Sequence, residues 1–199
     1  MNQRLNSLRV RLRQQTRAEI VRVAFDLFAS RGYDKVPAES IAAAAGVSRA
    51  TFFNYFPRKE LILREIASAR AERLKSILED FAAFGGQSSF ENIVKLVVKL
   101  AEENAHIGRK SKKLLLETFF NQASQGLMMA ARERAVESIT ESVARIPRRR
   151  KLAARLVSET LFAVYIATML EWLMREGASE RWLLDAMRER LRLLVEGVK

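Results

Sequence analysis

Cysteine is absent from the 199 residues and histidine occurs once. Without cysteine there is no disulfide framework, no thiolate zinc site and no cysteine nucleophile, which fits a reducing compartment. Proline appears three times and glycine eight times, at intervals rather than in runs, so both read as punctuation between helices. No stretch alternates apolar and polar residues between hairpin turns, and the predicted fold class is all-α. The longest apolar run, 161–170, is interrupted by Thr168 and stops at Glu171, short of the roughly 18 residues of a membrane span. A basic N-terminus with no apolar segment and no small-residue cleavage site lacks the pattern of a signal peptide. A soluble, cytoplasmic protein with no membrane partner is expected. Glycine-rich phosphate loops, catalytic triads and metal-spaced ligand clusters are also missing, so no enzyme, cofactor or metal is predicted. Glu102 and His106 lie four apart and read as a surface pair on one helix face.

Apolar residues make up 49% of the chain, enough for a substantial core. The formal net charge is +12, and residues 1–60 hold 11 Lys and Arg against 5 Asp and Glu. Concentrated positive charge suits phosphate binding with release of counterions, and it equally serves solubility.

Residues 1–15 carry Arg4, Arg9, Arg11 and Arg13, with Leu5, Leu8 and Leu12 at helical spacing. They form either a mobile arm or an early extension of the first helix. The capping-box pattern Thr16-Arg17-Ala18-Glu19 predicts a helix start, and Ile20, Ala24, Leu27 and Phe28 form its buried stripe. Gly32 ends it. A second helix is expected from Pro37, with Glu39 favourable to its N-terminal dipole, running to Ala45. Gly46 supplies a left-handed turn and Ser48 caps a third helix. Ile41, Val47, Phe52 and Phe56 should close a small core against Leu27 and Phe28. After Pro57 a helix over 58–83 spans about 39 Å. Further helices are predicted near 90–105, 109–124, 127–145, 150–176 and 179–197, broken at Gly108, Gly126, Pro147 and Gly177.

Residues 41–61 thus read as a helix-turn-helix, whose second helix enters the DNA major groove with its N-terminal residues at the base edges. Arg49 can pair with O6 and N7 of guanine together. Ala50 permits close approach and contact with a thymine methyl, Thr51 and Tyr55 offer hydroxyls to phosphate, and Lys59 reaches a flanking phosphate. The ordered set Ala45, Gly46, Val47, Ser48, Thr51, Phe52, Tyr55, Phe56, Lys59 and Glu60 resembles the recognition core of the TetR family of bacterial transcriptional regulators. That resemblance implies the same DNA-binding roles for Ser48, Arg49, Ala50, Thr51, Phe53, Tyr55 and Lys59. Phe53 replaces a phosphate-contacting tyrosine, and Pro37 replaces a capping threonine, so both polar contacts are missing. The Arg9, Arg11, Arg13 and Arg17 cluster reads either as a minor-groove arm or as a solvated basic one.

The expected organisation is a helix-turn-helix domain over 1–60 with a basic arm, and a helical effector-binding and dimerisation domain over 61–199. The helix around 161–170 is apolar on nearly every side, and the last helix carries a broad apolar stripe. Leu161, Leu170, Leu183, Met187, Leu191 and Leu194 are therefore candidates for a homodimer interface built as a four-helix bundle. The resemblance also implies a ligand cavity, for which Phe119, Phe120, Met128, Met129, Tyr165 and Met169 are candidate walls and His106 and Glu117 candidate polar anchors. The function expected is a ligand-responsive repressor that binds a palindromic double-stranded DNA operator as a homodimer and is released by a largely apolar small molecule. The alternative is an architectural or partner-controlled DNA-binding protein with no such effector, which predicts a solid core instead of a cavity.

Overall fold

The computed structural model describes residues 2–83, 89–146 and 153–198. The predicted break at Pro147 lies outside them. Among the described residues every regular element is a helix: α1 Asn2–Arg31, α2 Ala38–Ala44, α3 Arg49–Tyr55, α4 Glu60–Ala83, α5 Phe90–Lys110, α6 Lys112–Phe120, α7 Gln122–Ala144, α8 Ala154–Met174 and α9 Glu180–Val198.

Two hydrophobic cores organise these helices. The first gathers Ile20, Ala24 and Phe28 of α1, Ile41 of α2, Phe52 of α3, and Phe56, all fully buried. Val47 and Leu27 pack on it half-buried. It also takes Ile62, Leu63 and Ile66 from α4, and Leu114 from α6. The second core lies among α4, α5, α6, α7, α8 and α9, with Ile93, Leu115, Ile139, Leu161, Met169 and Leu183 at its centre. Adjacent residues of α6, Leu114 and Leu115, are therefore buried in different cores.

Several helix boundaries differ from the sequence prediction. Helix α1 runs straight through the capping box: the Thr16 hydroxyl donates to the Leu12 carbonyl (2.9 Å) instead of capping a helix start. The leucine-spaced segment is an extension of α1. Pro37 occupies the N-cap position of α2 and not the first helical one, with Ala38 beginning the helix. Gly32, Gly46 and Gly177 do take positive φ and end their helices as expected.

Gly108 does not break a helix; α5 passes through it to Lys110. A Cβ at Gly108 would lie 2.3 and 2.7 Å from the Trp172 ring, so glycine here serves close packing of α5 on α8. The break falls at Ser111, whose Oγ accepts from the Leu114 amide at 3.0 Å and caps α6. Lys112 follows, its ammonium donating to the carbonyl of Trp172 in the last turn of α8 and to those of Arg175 and Ala178 just beyond it. Gly126 also lies inside a helix, α7, facing open space.

Helix α8 is 21 residues with a mean hydropathy of 1.4 across its most apolar window, long and apolar enough by composition to cross a membrane. Its buried side chains, Leu161, Tyr165, Met169 and Trp172, belong to the larger core.

Opposite outcomes are expected at the two helical glycines. Gly108→Ala should destabilise by about 1–3 kcal/mol through overpacking on Trp172, despite alanine's better helix propensity. Gly126→Ala should stabilise by about 0.5–1 kcal/mol. Urea unfolding of both variants checks this, and a stabilised Gly108→Ala would show that Trp172 yields freely.

Candidate functional site

Helix α3 has seven residues and presents its N-terminal end to solvent. The Ser48 Oγ accepts from the Thr51 amide (3.1 Å), as the sequence predicts for a cap. Phe52 is fully buried and meets Phe53 edge-on at 5.3 Å and Phe56 at 6.2 Å. This aromatic anchor leaves Ser48, Arg49 and Ala50 exposed at the leading turn and Thr51, Phe53 and Tyr55 half-buried behind them.

The polar groups are already engaged with protein. The Arg49 Nε pairs with Glu39 at 3.1 Å, and its guanidinium lies 5.7 Å from the Phe53 ring. The Thr51 hydroxyl shares a 2.9 Å hydrogen bond with Ser48. The Tyr55 ring faces Arg13 at 6.0 Å. Arg17 reaches from α1 to the Tyr55 carbonyl (3.1 Å) and to Glu65 on α4 (2.5 Å), and lies over the Phe56 ring. Arg17 is thus a tether between α1, α3 and α4, while Arg9, Arg11 and Arg13 are exposed on the extended helix.

Lys59 donates to the Tyr33 and Val36 carbonyls at 2.9 and 3.1 Å and lies 4.1 Å from the Tyr33 ring centre. Two of its three protons close the loop before α2, so its first role is structural and one proton remains for a phosphate. Behind it, Glu117 of α6 approaches the first core at Tyr33 and Asp34 and does not line the cavity described below. Its Oε2 is buried without a hydrogen-bond partner. Burial raises its carboxyl above the usual range, against the nearby Lys113 and Lys59 and with Asp34. Burial also raises the Tyr33 hydroxyl, reinforced by Glu60, Asp34 and Glu117.

A cavity of about 540 Å³ opens among α4, α6, α7 and α8, within the usual size range of small-molecule sites. Of the candidate walls, Phe119, Met128, Met129 and Tyr165 line it. Phe120 instead points to solvent, 66% exposed, because it falls at the end of α6. Met169 is fully buried in the larger core, one helical turn from Tyr165. His106 lies on the exposed side of α5, paired with Arg109, and Glu102 pairs with Arg188 at 3.9 Å. Neither polar anchor named from the sequence therefore reaches the cavity.

The polar group that does is Arg70. It is 7% exposed, and its Nη1 donates to the Thr118 hydroxyl (3.2 Å) while Nη2 meets the Met128 sulfur (3.0 Å). Its guanidinium stacks 4.2 Å from the Phe119 ring centre, and its Nε has no partner. Burial pushes its pKa down to about 10. An arginine inside an apolar helical stripe gives no signal in sequence, because one turn either way places it in solvent.

Four of the six candidate interface residues are also placed differently. Leu161, Leu183, Met187 and Leu191 are fully buried in the protomer's own core, since the apolar stripe of α9 closes on α5 and α8. Leu170 and Leu194 stay half-buried. Along α8, Leu156, Ala163, Ala167, Leu170 and Met174 recur at spacings of seven, four, three and four; Leu156 (53% exposed) and Met174 (77%) mark the ends, while Ala163, Ala167 and Leu170 between them line the cavity. Spacing of that kind forms a single stripe along a helix.

Residues 20–66 match the bacterial regulatory proteins of the tetR family. The chain is 30% identical to FadR of Thermus thermophilus, a TetR-family transcriptional repressor crystallised with lauroyl-CoA. That match covers 91% of this chain and 94% of the other, with a TM-score of 0.61. Similarity to the HTH-type transcriptional regulator LuxR of Vibrio harveyi is 29% over 90 residues, so the chain spans 44% of LuxR's length. A TetR/AcrR-family regulator from Thermobifida fusca shares the fold, with a TM-score of 0.69 and 23% identity over 91% of this chain and 97% of that one.

Two measurements test the electrostatics. Glu117 binds its proton more tightly in the folded than in the unfolded state, so its contribution to stability falls as pH rises from about 4.5 through the raised folded value. Glu117→Gln should accordingly raise the melting midpoint at pH 7.5 and leave it unchanged at pH 4. Equal gains at both pH values would refute the burial argument. Glu39→Gln should release Arg49 and tighten duplex DNA binding roughly two- to fivefold, the scale of an exposed ion pair; weaker binding would mean that Glu39 positions Arg49 for DNA.

Proposed function

This chain belongs to the TetR family of bacterial regulatory proteins, and on that premise we propose a ligand-responsive repressor that binds a palindromic operator as a homodimer. It is a transcriptional regulator with an N-terminal helix-turn-helix and a C-terminal helical domain. In this reading the DNA-binding unit is 1–60 and the effector and dimerisation unit 61–199, with Ile62, Leu63, Ile66 and Leu114 lent to the first core by the second unit. Arg49 reads a guanine, Ala50 lets the helix approach, and Ser48, Thr51, Phe53, Tyr55 and Lys59 meet the flanking backbone. The protein acts in the cytoplasm, where its operator lies.

The observation that carries the reading is the pairing of an exposed α3 N-terminus with an apolar cavity, joined by α4 and α6. Phe119 lines the cavity while Leu114, on the same short helix, is buried under the DNA-facing body. A ligand that shifts α6 therefore shifts the support of α3. Only a ligand with unequal affinity for the two arrangements biases DNA binding. The FadR structure with lauroyl-CoA supports a largely apolar effector here as well. The cavity favours this reading over an architectural protein without an effector.

A second copy would pack along the stripe of α8 from Leu156 to Met174, with the half-buried Leu194 beside it, and would cover the edge of the cavity that Ala163, Ala167 and Leu170 line. Two-fold pairing sets two α3 helices at a fixed separation, which a palindrome answers with half-sites about one helical turn apart.

Selection of bound sequences from random duplexes tests both halves of the proposal and should return a palindrome containing a guanine read by Arg49. Arg49→Ala should lose about 1–3 kcal/mol of discrimination at that base pair. A non-palindromic consensus would exclude the dimer model, and unchanged preference in the variant would remove Arg49 from base reading.

A further inference from the structure

We infer that the effector is an amphiphilic carboxylate, with its apolar body filling the cavity among α4, α6, α7 and α8 and its acidic head on Arg70. The inference rests on the reading of that cavity as the effector site and adds the chemistry of the ligand.

Three charged residues line the cavity: Arg70, Arg132 and Glu159. Glu159 is paired with Arg155 at 2.9 Å, and Arg132 is half-buried and reaches Glu133 at 3.6 Å. Arg70 differs from both. It is nine-tenths buried and, among the described residues, no carboxylate lies within ion-pair distance of it. Its neighbours are a hydroxyl, a thioether and an aromatic ring, and its Nε donates to nothing. A thioether is a weak acceptor, and a buried guanidinium is strongly favoured by pairing with an anion. At a pKa of about 10 the group keeps its charge at neutral pH.

Tyr165 of α8, near enough to Arg70 for each to act electrostatically on the other, supplies a second donor. Its hydroxyl accepts from the Asn104 amide at 2.6 Å, which leaves its own proton to donate. Burial raises its pKa to about 12, so that proton is present at neutral pH. Guanidinium and phenol together suit a planar head with two acceptor oxygens, and Leu74, Leu78, Phe162 and Ile166 suit an alkyl or aryl body.

The site also bears on α6. Thr118 and Phe119 belong to that helix and hold the guanidinium at the cavity wall. A carboxylate competes with them for Arg70, so occupancy changes what α6 is tied to.

Titration of the full-length protein with decanoate and decanol, matched in length and differing in head group, tests the inference. Decanoate should bind at least tenfold tighter than decanol. Arg70→Met should abolish that preference while retaining decanol, and Arg70→Lys should keep part of it. Equal wild-type affinities, or a preference that survives in Arg70→Met, would overturn the carboxylate assignment and leave the cavity as an effector site. Binding of decanoyl-CoA without decanoate would overturn it in favour of a thioester. If decanoate, decanol and the neutral dye N-phenyl-1-naphthylamine all failed to bind, the effector-cavity reading would fall with it. Should Arg70→Met not fold, the wild-type comparison and Arg70→Lys still decide.

Discussion

A helix of seven residues is not stable in water by itself, yet α3 is the element that must hold a fixed geometry against DNA. What maintains it is the burial of Phe52 and Phe56 against α1, α2 and α4. That packing is the constraint on which the remainder depends. It exposes Ser48, Arg49 and Ala50 at one end, and it makes the orientation of α3 answerable to the helices beneath it. Arg17 adds a polar clamp to the same junction, joining the end of α3 to Glu65.

Coupling follows from how the two cores share helices. Helix α4 gives Ile62, Leu63 and Ile66 to the small core and Ile77 and Leu78 to the large one. Helix α6 divides between consecutive residues, Leu114 to one and Leu115 to the other, with Glu117 turned toward Tyr33 and Asp34. Close-packed interiors deform poorly, so a displacement of α6 is passed on and not absorbed. The guanidinium of Arg70 sits against the face of α6 that borders the cavity, and in the proposed reading that buried charge joins ligand chemistry to the mechanical link.

Much of the DNA-facing unit was legible in the residues because its determinants are local. Ser48 caps from its own position, Gly46 takes the left-handed conformation that its turn requires, and Phe52 and Phe56 lie four apart on one face. Errors arose where a local pattern met a tertiary demand. Thr16 carries a capping-box signature, but α1 continues through it. Gly108 looks like a terminator, but it is small so that Trp172 can approach. Lys59 carries a charge that suits phosphate, and the fold adds a second role that no local pattern shows, closing the preceding loop through two carbonyls.

The sequence by itself determined the all-helical class, the helix-turn-helix and its exposed leading residues, since those follow from periodicity, caps and turn chemistry within a few positions. Only the tertiary structure decided which apolar residues are core, which line the cavity and which face outward. Leu161, Leu183, Met187 and Leu191 look no different in sequence from interface residues until α9 is packed on α5 and α8. Arg70 is ordinary until α6 and α7 cover it. Burial depends on neighbours far along the chain, and no short window of residues contains them.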